Sequence, residues 1–289
     1  MDCTKFNGGF EFALATCIVN SVIGFLAAVL NGTVMITVLK DPLKKLRTPF
    51  NYLIFNLCFC DFLVASVVAP ITAYAGYKEK NVVVFWMDLV APDIIILAAI
   101  FSVGALSYDR YKAIINPIKY RVNMSWQRCV KYSITIWILA ILAAAPMKFI
   151  DHIPYAVIIH SNVITVGHAL LMIFVYIRVK YALRAQNNEF KEKLSASLTN
   201  SQEAIGLRIK TEKNVVGVFN IILAVVLLFL IPGLVAFDLF AFVYRHKCFF
   251  GFVTDNIRLF GFILNSLVNP LICIFKLRDF RKSIKALMC

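Results

Sequence analysis

Charged residues are scarce in this chain of 289 residues, of which only 16% are Asp, Glu, Lys or Arg. Soluble domains carry about 25% charged and about 45–50% apolar residues, whereas this chain is 61% hydrophobic. A soluble domain of this size cannot bury so many apolar side chains. The composition therefore excludes a soluble protein and predicts an integral membrane protein.

Acidic residues are fewer than basic residues. The chain has 16 Asp and Glu and 30 Lys and Arg, which gives a net charge of +14. A basic excess can indicate a nucleic-acid-binding protein. Here, however, the basic residues form short clusters between apolar runs instead of lining one face. Membrane insertion explains this arrangement, because basic loops stay on the cytoplasmic side. We therefore expect no nucleic-acid partner.

Sequence patterns of catalysis, metal binding and transport are also missing. The chain has no Cys-x-x-Cys pair, no His/Cys set with metal-ligand spacing and no Gly-x-Ser-x-Gly motif. It also lacks the repeated half and the matching broken helices that indicate a transporter. We therefore expect neither an enzyme nor a transporter, and these patterns predict no cofactor.

Seven apolar runs are long enough to cross a bilayer, which needs roughly 20 apolar residues per helix. They cover residues 12–39, 50–76, 82–108, 130–148, 153–179, 214–243 and 252–275. In the following stretch, "FKLRDFRKSIKALMC", apolar residues recur near helical spacing with Lys and Arg between them, which predicts an amphipathic helix lying on the membrane. The predicted fold is an all-α membrane protein, a seven-transmembrane helix bundle with a short amphipathic eighth helix.

The distribution of basic residues predicts the orientation of these spans. Segments 40–47, 110–131, 178–213 and 276–285 hold 23 of the 30 Lys and Arg residues. Because basic loops stay in the cytoplasm, we expect these segments inside the cell and the amino terminus outside. The expected organisation in the plasma membrane is an extracellular amino terminus (1–11), a seven-transmembrane domain (12–275) and a cytoplasmic amphipathic helix with a tail (276–289).

Polar residues and prolines occur at one or two positions in most spans, although a charge at the centre of a bilayer costs roughly 2.5–3.5 kcal/mol. They are Asn31 in "VLNGTV", Asp61 after "NLCFC", the triplet Asp109-Arg110-Tyr111, Trp137 in "TIWIL", Pro232 in "LFLIPG" and Asn269-Pro270 in "NPLIC". In this order the six features resemble the rhodopsin-like (class A) G-protein-coupled receptors, and the resemblance covers essentially the whole chain. It implies a helix bundle with a ligand outside, a heterotrimeric G protein on the cytoplasmic face, and kinks at Pro232 and Pro270.

The resemblance assigns an activation switch to the cytoplasmic end of the third span. At rest, Arg110 would be held by Asp109 and by Glu212, which occupies the matching position of the sixth span. Separating the helices would free Arg110 for a G protein. Tyr111 completes the triplet, and Tyr176 matches the family tyrosine that turns inward on activation. The alternative is a solvated ion pair at a helix end, worth about 0–1 kcal/mol.

A second site implied by the resemblance is a polar centre between the spans, which in the family often holds Na⁺. Its residues are Asp61, Asn31, Asn265, Ser266 and Asn269. A buried carboxylate needs a cation, a partner or a proton. The third-span serine that usually completes the sodium shell is Ala99 here. A bound sodium ion and a protonated or amide-paired Asp61 therefore both remain open.

Several departures from the family pattern point to a subgroup. Phe85 replaces the third-span cysteine, His168 the fifth-span proline, Leu230 the sixth-span tryptophan and Cys273 the tyrosine of the NPxxY motif. The connection between spans four and five is also very short and has no cysteine. The missing disulfide, the short connection and the missing proline resemble the melanocortin, cannabinoid, lysophospholipid and adenosine receptor group.

Three cysteines take roles from the same resemblance. In melanocortin receptors an outer cysteine of the third loop contributes to extracellular disulfides, so Cys3 and Cys248 are candidates for a bridge that ties the amino terminus over the pocket. Cys289, behind the amphipathic helix, is a candidate for palmitoylation, and the alternative is an unmodified tail cysteine.

Candidate ligand-binding residues lie at the outer ends of two spans. Asp88 and Asp93 of the third span suit a cationic or peptide-arginine ligand, because unpaired acids in a pocket are costly. Phe237 and Asp238 lie at the outer end of the sixth span. The alternatives are a loop-facing position for Asp88 and an interfacial belt for the aromatic residues. The ligand class stays open between a peptide, a lipid and a small amine-like molecule.

The expected function is that of a receptor that transmits an extracellular ligand signal to heterotrimeric G proteins by outward movement of the sixth helix. Membrane lipids are its other expected partners. The alternative is a non-signalling seven-helix protein that acts by associating with other membrane proteins, since Leu230 and Cys273 depart from the family's switch residues.

Overall fold

The computed structural model of this chain describes most of the predicted helices. The described residues are 10–70, 91–116, 119–120, 125–150, 154–196 and 248–288, with scattered residues between 217 and 238. Within these ranges the backbone forms helices and turns, without any strand. Six helices of this described part are long and apolar enough to cross a membrane. The predicted all-α membrane class is thereby confirmed.

Seven helices have defined bounds in the described ranges. They are α1 (Phe10–Lys40), α2 (Pro49–Leu63), α3 (Ala91–Ile115), α4 (Trp126–Ile150), α5 (Pro154–Ala196), α6 (Cys248–Lys276) and α7 (Arg278–Met288). The first five coincide with the first five predicted spans, and α6 coincides with the seventh. In the predicted sixth span only scattered residues are described, and these, Pro232 among them, are helical.

Helix α7 is the predicted amphipathic helix. Phe280 and Ser283 are buried, whereas Arg281, Lys282 and Lys285 are exposed. The buried side packs on α1 and α6. One apolar face therefore docks the helix against the bundle while the basic face stays solvated.

Two helices continue beyond the apolar runs that predicted them. Helix α3 continues past residue 108 to Ile115, and α5 continues past residue 179 to Ala196. Charged side chains ended the apolar runs on which the prediction rested. A helix can continue beyond the bilayer, however, because its backbone hydrogen bonds do not depend on apolar side chains. Asp109 and Arg110 consequently lie within α3, one to two turns before its end.

Helix α3 lies at the centre of the bundle and packs against α2, α4 and α5, while α1 packs against α2 and α6. Leu53 and Leu57 of α2, Val103 and Leu106 of α3, and Ile136 of α4 belong to the main buried cluster. The outward faces are apolar as well, with Phe25 70% and Leu142 63% exposed. Apolar side chains on both the inner and the outer face fit a bundle that is surrounded by lipid.

The turn between α1 and α2 is held by polar side chains. Asp41 accepts hydrogen bonds from the backbone N–H groups of Lys45 (2.8 Å) and Leu46 (3.0 Å). Asn51 Nδ2 donates to the Leu46 carbonyl at 3.0 Å. Thr48 caps α2 by accepting from the Asn51 N–H at 3.3 Å. These bonds fix the start of α2, which carries Asp61 at its other end.

A π-helical turn, Val64–Val68, follows α2 directly and begins three residues after Asp61. Such turns are rare and occur frequently at functional sites. Here the turn packs against α1, α3 and α6. It therefore lies where the helices around Asp61 meet.

His168 of α5 occupies the position where the family has a proline, and it packs against a glycine of α3. Its side chain is 8% exposed, and its ring centroid lies 6.1 Å from that of Phe101. A Cβ atom added to Gly104 would lie 2.9 Å from His168 Cε1. The imidazole therefore fits against α3 because residue 104 lacks a side chain.

Replacing Gly104 with alanine should lower the free energy of unfolding by about 1–3 kcal/mol, since the added methyl group forces the packed imidazole to move. The measurement is thermal unfolding of the purified chain in detergent. The double variant Gly104→Ala/His168→Ala should recover part of the loss. Gly32→Ala is the control, because an added Cβ there would meet Phe62 at an ordinary 3.9 Å. Equal effects at residues 32 and 104 would contradict the prediction.

Candidate functional site

The cytoplasmic half of α3 carries a buried ion pair between neighbouring residues. Arg110 Nε donates to Asp109 Oδ2 at 3.0 Å, and Arg110 Nη2 donates to the same oxygen. The two residues are 6% and 2% exposed. Burying an ion pair is costly unless its remaining donors and acceptors are also bonded. The surroundings of the pair therefore decide how firmly it is held.

Tyr120 supplies the remaining hydrogen bonds of this ion pair. Its hydroxyl donates to Asp109 Oδ1 at 2.6 Å and accepts from Arg110 Nη2 at 3.2 Å. Burial and the charge of Asp109 raise the pKa of the Tyr120 hydroxyl well above its usual range, so it stays a proton donor. Sequence reasoning missed this residue. A tyrosine eleven positions after the acid, in "DRYKAIINPIKY", was the available signal.

Phe50, at the start of α2, closes another side of the guanidinium. Arg110 Cζ lies 4.2 Å from the centroid of the Phe50 ring, within the range of a cation–π contact. Asp109, Tyr120 and Phe50 together hold Arg110 in a fixed position on α3. The predicted partner Glu212 lies outside the described residues, so its pairing with Arg110 stays a prediction.

Two other predicted switch residues are Tyr111 on α3 and Tyr176 on α5. Tyr111 packs beside a small buried cluster formed by Ile114 and Val179. Tyr176 packs against the main core, and Lys180 Nζ lies 5.7 Å from the centroid of its ring. Tyr111 therefore belongs to the α3–α5 contact.

The predicted polar centre is assembled around Asp61. Ser266 Oγ donates to Asp61 Oδ1 at 3.0 Å, and Asn269 Nδ2 donates to Asp61 Oδ2 at 2.9 Å. Asn31 Nδ2 donates to the Ser266 carbonyl at 2.8 Å and to the Ala27 carbonyl at 2.9 Å. Asp61, Asn31 and Asn269 are each at most 1% exposed. The structure thus brings α1, α2 and α6 together through these polar groups.

Among the described residues, three buried amide oxygens have no hydrogen-bond donor, namely Oδ1 of Asn31, Asn265 and Asn269. Asn31 and Asn269 belong to the network around Asp61, and Asn265 precedes Ser266 on α6. With the Asp61 carboxylate, the oxygens of Asn31 and Asn269 give this network acceptors and a net negative charge. Hard cations such as Na⁺ prefer oxygen ligands of this kind, so the residues present fit the ion.

A further polar network, missed from the sequence, links α2, α3 and α4. Asn56 Nδ2 donates to Ser102 Oγ at 2.8 Å, and Trp137 Nε1 approaches Asn56 Oδ1 at 3.4 Å. Ser102 Oγ donates in turn to the Ala98 carbonyl at 2.6 Å. Asn56 opens the sequence "NLCFCD" that ends at Asp61, so one stretch of α2 serves both networks.

The residues predicted to bind a ligand are only partly described. Asp93 lies in the first turn of α3 and is half-buried. Asp238 accepts a hydrogen bond from Asn162 Nδ2 of α5 at 2.9 Å. The other candidates at the outer ends, Asp88 and Phe237, lie outside the described residues.

The predictions for three cysteines also go beyond the described part of the chain. Cys248 begins α6, but its predicted partner Cys3 lies outside that part. Cys289, the predicted palmitoylation site, lies outside it as well.

Known proteins resemble this chain in sequence and in fold. Residues 30–154 match the family described as 7 transmembrane receptor (rhodopsin family). The rat (Rattus norvegicus) histamine H4 receptor is 28% identical over 132 residues, or 44% of this chain and 33% of that receptor. The substance-P receptor of Meriones unguiculatus is 31% identical over 140 residues, or 47% and 32%. The match thus spans about a third of each relative's length.

The crystal structure of squid rhodopsin aligns with 96% of this chain and 85% of its own, with a TM-score of 0.82 and 18% sequence identity. The likeness to the rhodopsin family in sequence is limited to residues 30–154, whereas the likeness to rhodopsin in fold extends over nearly the whole chain. The chain is a multi-pass membrane protein with the helix arrangement of rhodopsin. The relatives that it matches are named as receptors, in agreement with the expectation that it is not an enzyme.

Tyr120→Phe should lower the free energy of unfolding by about 1–2 kcal/mol, because it removes one bond from each member of a buried ion pair. Thermal unfolding in detergent measures the change. Tyr132→Phe is the matched control, since that side chain is 36% exposed. A loss that is no larger for Tyr120→Phe than for Tyr132→Phe would show that the hydroxyl does not hold the pair.

Proposed function

We propose that this chain is a G-protein-coupled receptor that transmits an extracellular ligand signal to heterotrimeric G proteins. The observation that supports this most strongly is Arg110, a buried cation held on α3 by Asp109, Tyr120 and Phe50. The likeness of residues 30–154 to the rhodopsin family points the same way. The names of the relatives mention histamine and substance P, but the ligand of this chain stays open.

The proposed mechanism is a two-state change at the end of α3. With Arg110 bound internally, its donors are unavailable to a protein on the cytoplasmic face. Outward movement of the sixth predicted span (residues 214–243) separates Glu212 from α3. This movement opens a cleft in which Arg110 can reach a G protein. A ligand drives this change only by the difference between its affinities for the two states.

The alternative, a non-signalling seven-helix protein that acts by association, explains the buried arginine less well. An association surface needs no buried guanidinium with a complete set of partners. Leu230 and Cys273 remain the sequence features in its favour.

The proposed subgroup is that of the melanocortin, cannabinoid, lysophospholipid and adenosine receptors. Helix α4 ends at Ile150 and α5 begins at Pro154, in support of a very short connection. The fifth-span proline is replaced by His168. These features support the grouping, and a disulfide between Cys3 and Cys248 belongs to the same proposal.

The proposed location is the plasma membrane, with the amino terminus outside and the carboxyl terminus in the cytoplasm. The excess of Lys and Arg in the predicted inner segments supports this orientation. Lipidation of Cys289 would strengthen the contact of α7 with the inner leaflet. Asp93 and Asp238 are proposed to face the ligand from the outer side.

We propose further that Na⁺ binds at the polar centre. Asp61 would supply the charge, and the acceptor oxygens of Asn31, Asn265 and Asn269 are available to complete the shell. A bound cation would neutralise a buried carboxylate and tie α1, α2 and α6 together.

The switch is tested by measuring basal signalling of the expressed chain with sensors for each G-protein family. Arg110→Ala should abolish output, since it removes the group proposed to engage the G protein. Glu212→Ala should raise output, because it removes the proposed pairing with Arg110 that holds the sixth predicted span against α3. Lys131→Ala, an exposed basic residue of α4, is the control for the loss of one positive charge. If neither Arg110→Ala nor Glu212→Ala changes output in protein that reaches the cell surface, the non-signalling alternative is correct.

The sodium site is tested by comparing thermal unfolding in NaCl and in choline chloride at equal ionic strength. Na⁺ should raise the unfolding temperature, since a ligand that binds only the folded state stabilises it. Asp61→Asn should lose this increase and Asp93→Asn, which removes the same charge elsewhere, should keep it. The same sodium effect in Asp61→Asn and in the unmodified chain would rule out this site.

A further inference from the structure

A cavity next to the ion pair lies beside the cytoplasmic half of α3. It has a volume of about 220 Å³ and is lined by α3, by Asn116, Lys119 and Tyr120, and by the first turns of α4. A single water needs only roughly 10–15 Å³. The space therefore suits a larger group.

The lining of this cavity is strongly basic. Lys112, Lys119 and Arg128 all line it, and all three side chains are exposed. Among the described lining residues the acid is Asp109, whose carboxylate is already bonded to Arg110 and Tyr120. The cavity therefore offers three positive charges and no available carboxylate, which is an environment for an anion.

The position of the cavity indicates where that anion comes from. By length and composition, the stretches of α3 and α4 suited to cross a membrane are Pro92–Ile115 and Gln127–Pro146, and the cavity lies beside the end of the first and the start of the second. Tyr108 and Tyr132 line it and are 45% and 36% exposed. Exposed tyrosines are typical of the depth at which lipid headgroups lie.

We propose that this cavity binds the phosphate of an anionic phospholipid headgroup. Lys119 and Arg128 pair with the headgroup, while Tyr108 and Tyr132 flank the start of the acyl chains. This assignment to the inner leaflet rests on the proposed orientation, but it does not depend on G-protein coupling. A lipid is favoured over free phosphate because the basic residues that line the cavity lie beside the ends of two apolar stretches, with two exposed tyrosines among them.

The cavity is joined to the switch through two shared residues, Asp109 and Tyr120. Tyr120 lines the cavity and also bonds both Asp109 and Arg110. A headgroup in the cavity therefore lies beside the hydroxyl that bonds both members of the ion pair.

The test uses native mass spectrometry of the full chain in detergent with added phosphatidylserine or phosphatidylcholine. Phosphatidylserine should bind in preference to phosphatidylcholine. Lys119→Ala/Arg128→Ala should weaken phosphatidylserine binding by about tenfold or more, because each basic residue near the membrane surface contributes appreciably to anion attraction. The control Lys44→Ala/Lys45→Ala removes the same charge at two exposed positions between α1 and α2 that do not line the cavity, and should bind as the unmodified chain does.

Three outcomes would overturn the proposal. Equal weakening by both double variants means that net charge, and not the cavity, attracts the lipid. Equal binding of both lipids means that the phosphate site is not selective for an anionic headgroup. Displacement of the lipid by equimolar inorganic phosphate means a free-phosphate site instead. Thermal unfolding of each variant confirms that it is folded, and no G protein is needed, so the result is independent of signalling.

Discussion

Charged groups buried in a membrane-spanning chain must find their partners inside the protein, and this requirement arranges the centre of the bundle. Asp61 is held by side chains of α6, and Arg110 by Asp109, Tyr120 and the Phe50 ring. Lipid offers no water to such groups, so leaving one of them unpaired costs several kcal/mol. The helices that supply the partners must therefore pack beside α2 and α3.

The three polar networks of the bundle differ in the groups that they contain. Asn56, Ser102 and Trp137 join α2, α3 and α4 through neutral groups, and the Asn56 and Ser102 side chains are almost fully buried. The centre at Asp61 keeps unbonded acceptor oxygens, and the site at Arg110 has an aromatic face and an ion pair instead. The network of Asn56, Ser102 and Trp137 suits a rigid core, since it consists of hydrogen bonds between neutral side chains. The sites at Asp61 and Arg110 each contain a charged group that could bind a different partner in a second state of the protein. A two-state element requires such a group.

The sequence was sufficient to predict the fold class, and several of the polar residues that it singled out lie together in the structure. Apolar runs of about 20 residues identify spanning helices because lipid requires them. The order of Asn31, Asp61 and Asn269 along the spans predicted a centre that the structure assembles from α1, α2 and α6. Such predictions succeed because a polar residue is costly in lipid and so is placed where it has a partner.

Other features could not be read from the sequence, for physical reasons. Tyr120 reaches Asp109 across a turn whose path depends on tertiary packing, so spacing alone does not pair the two residues. The π-helical turn after α2 has an apolar sequence, VASVV, that fits an α-helix equally well. The end of α5 was predicted too early because the apolar pattern stops where lipid stops, while helical hydrogen bonding continues.

The length of α5 has a geometric consequence. Its 43 residues extend over about 65 Å at about 1.5 Å per residue, whereas the hydrocarbon core of a bilayer is only about 30 Å thick. The membrane-spanning part ends at Ala185, yet the helix continues to Ala196. The last turns therefore form a stiff projection beyond the membrane surface. A soluble protein could therefore contact these turns of α5 without entering the bilayer.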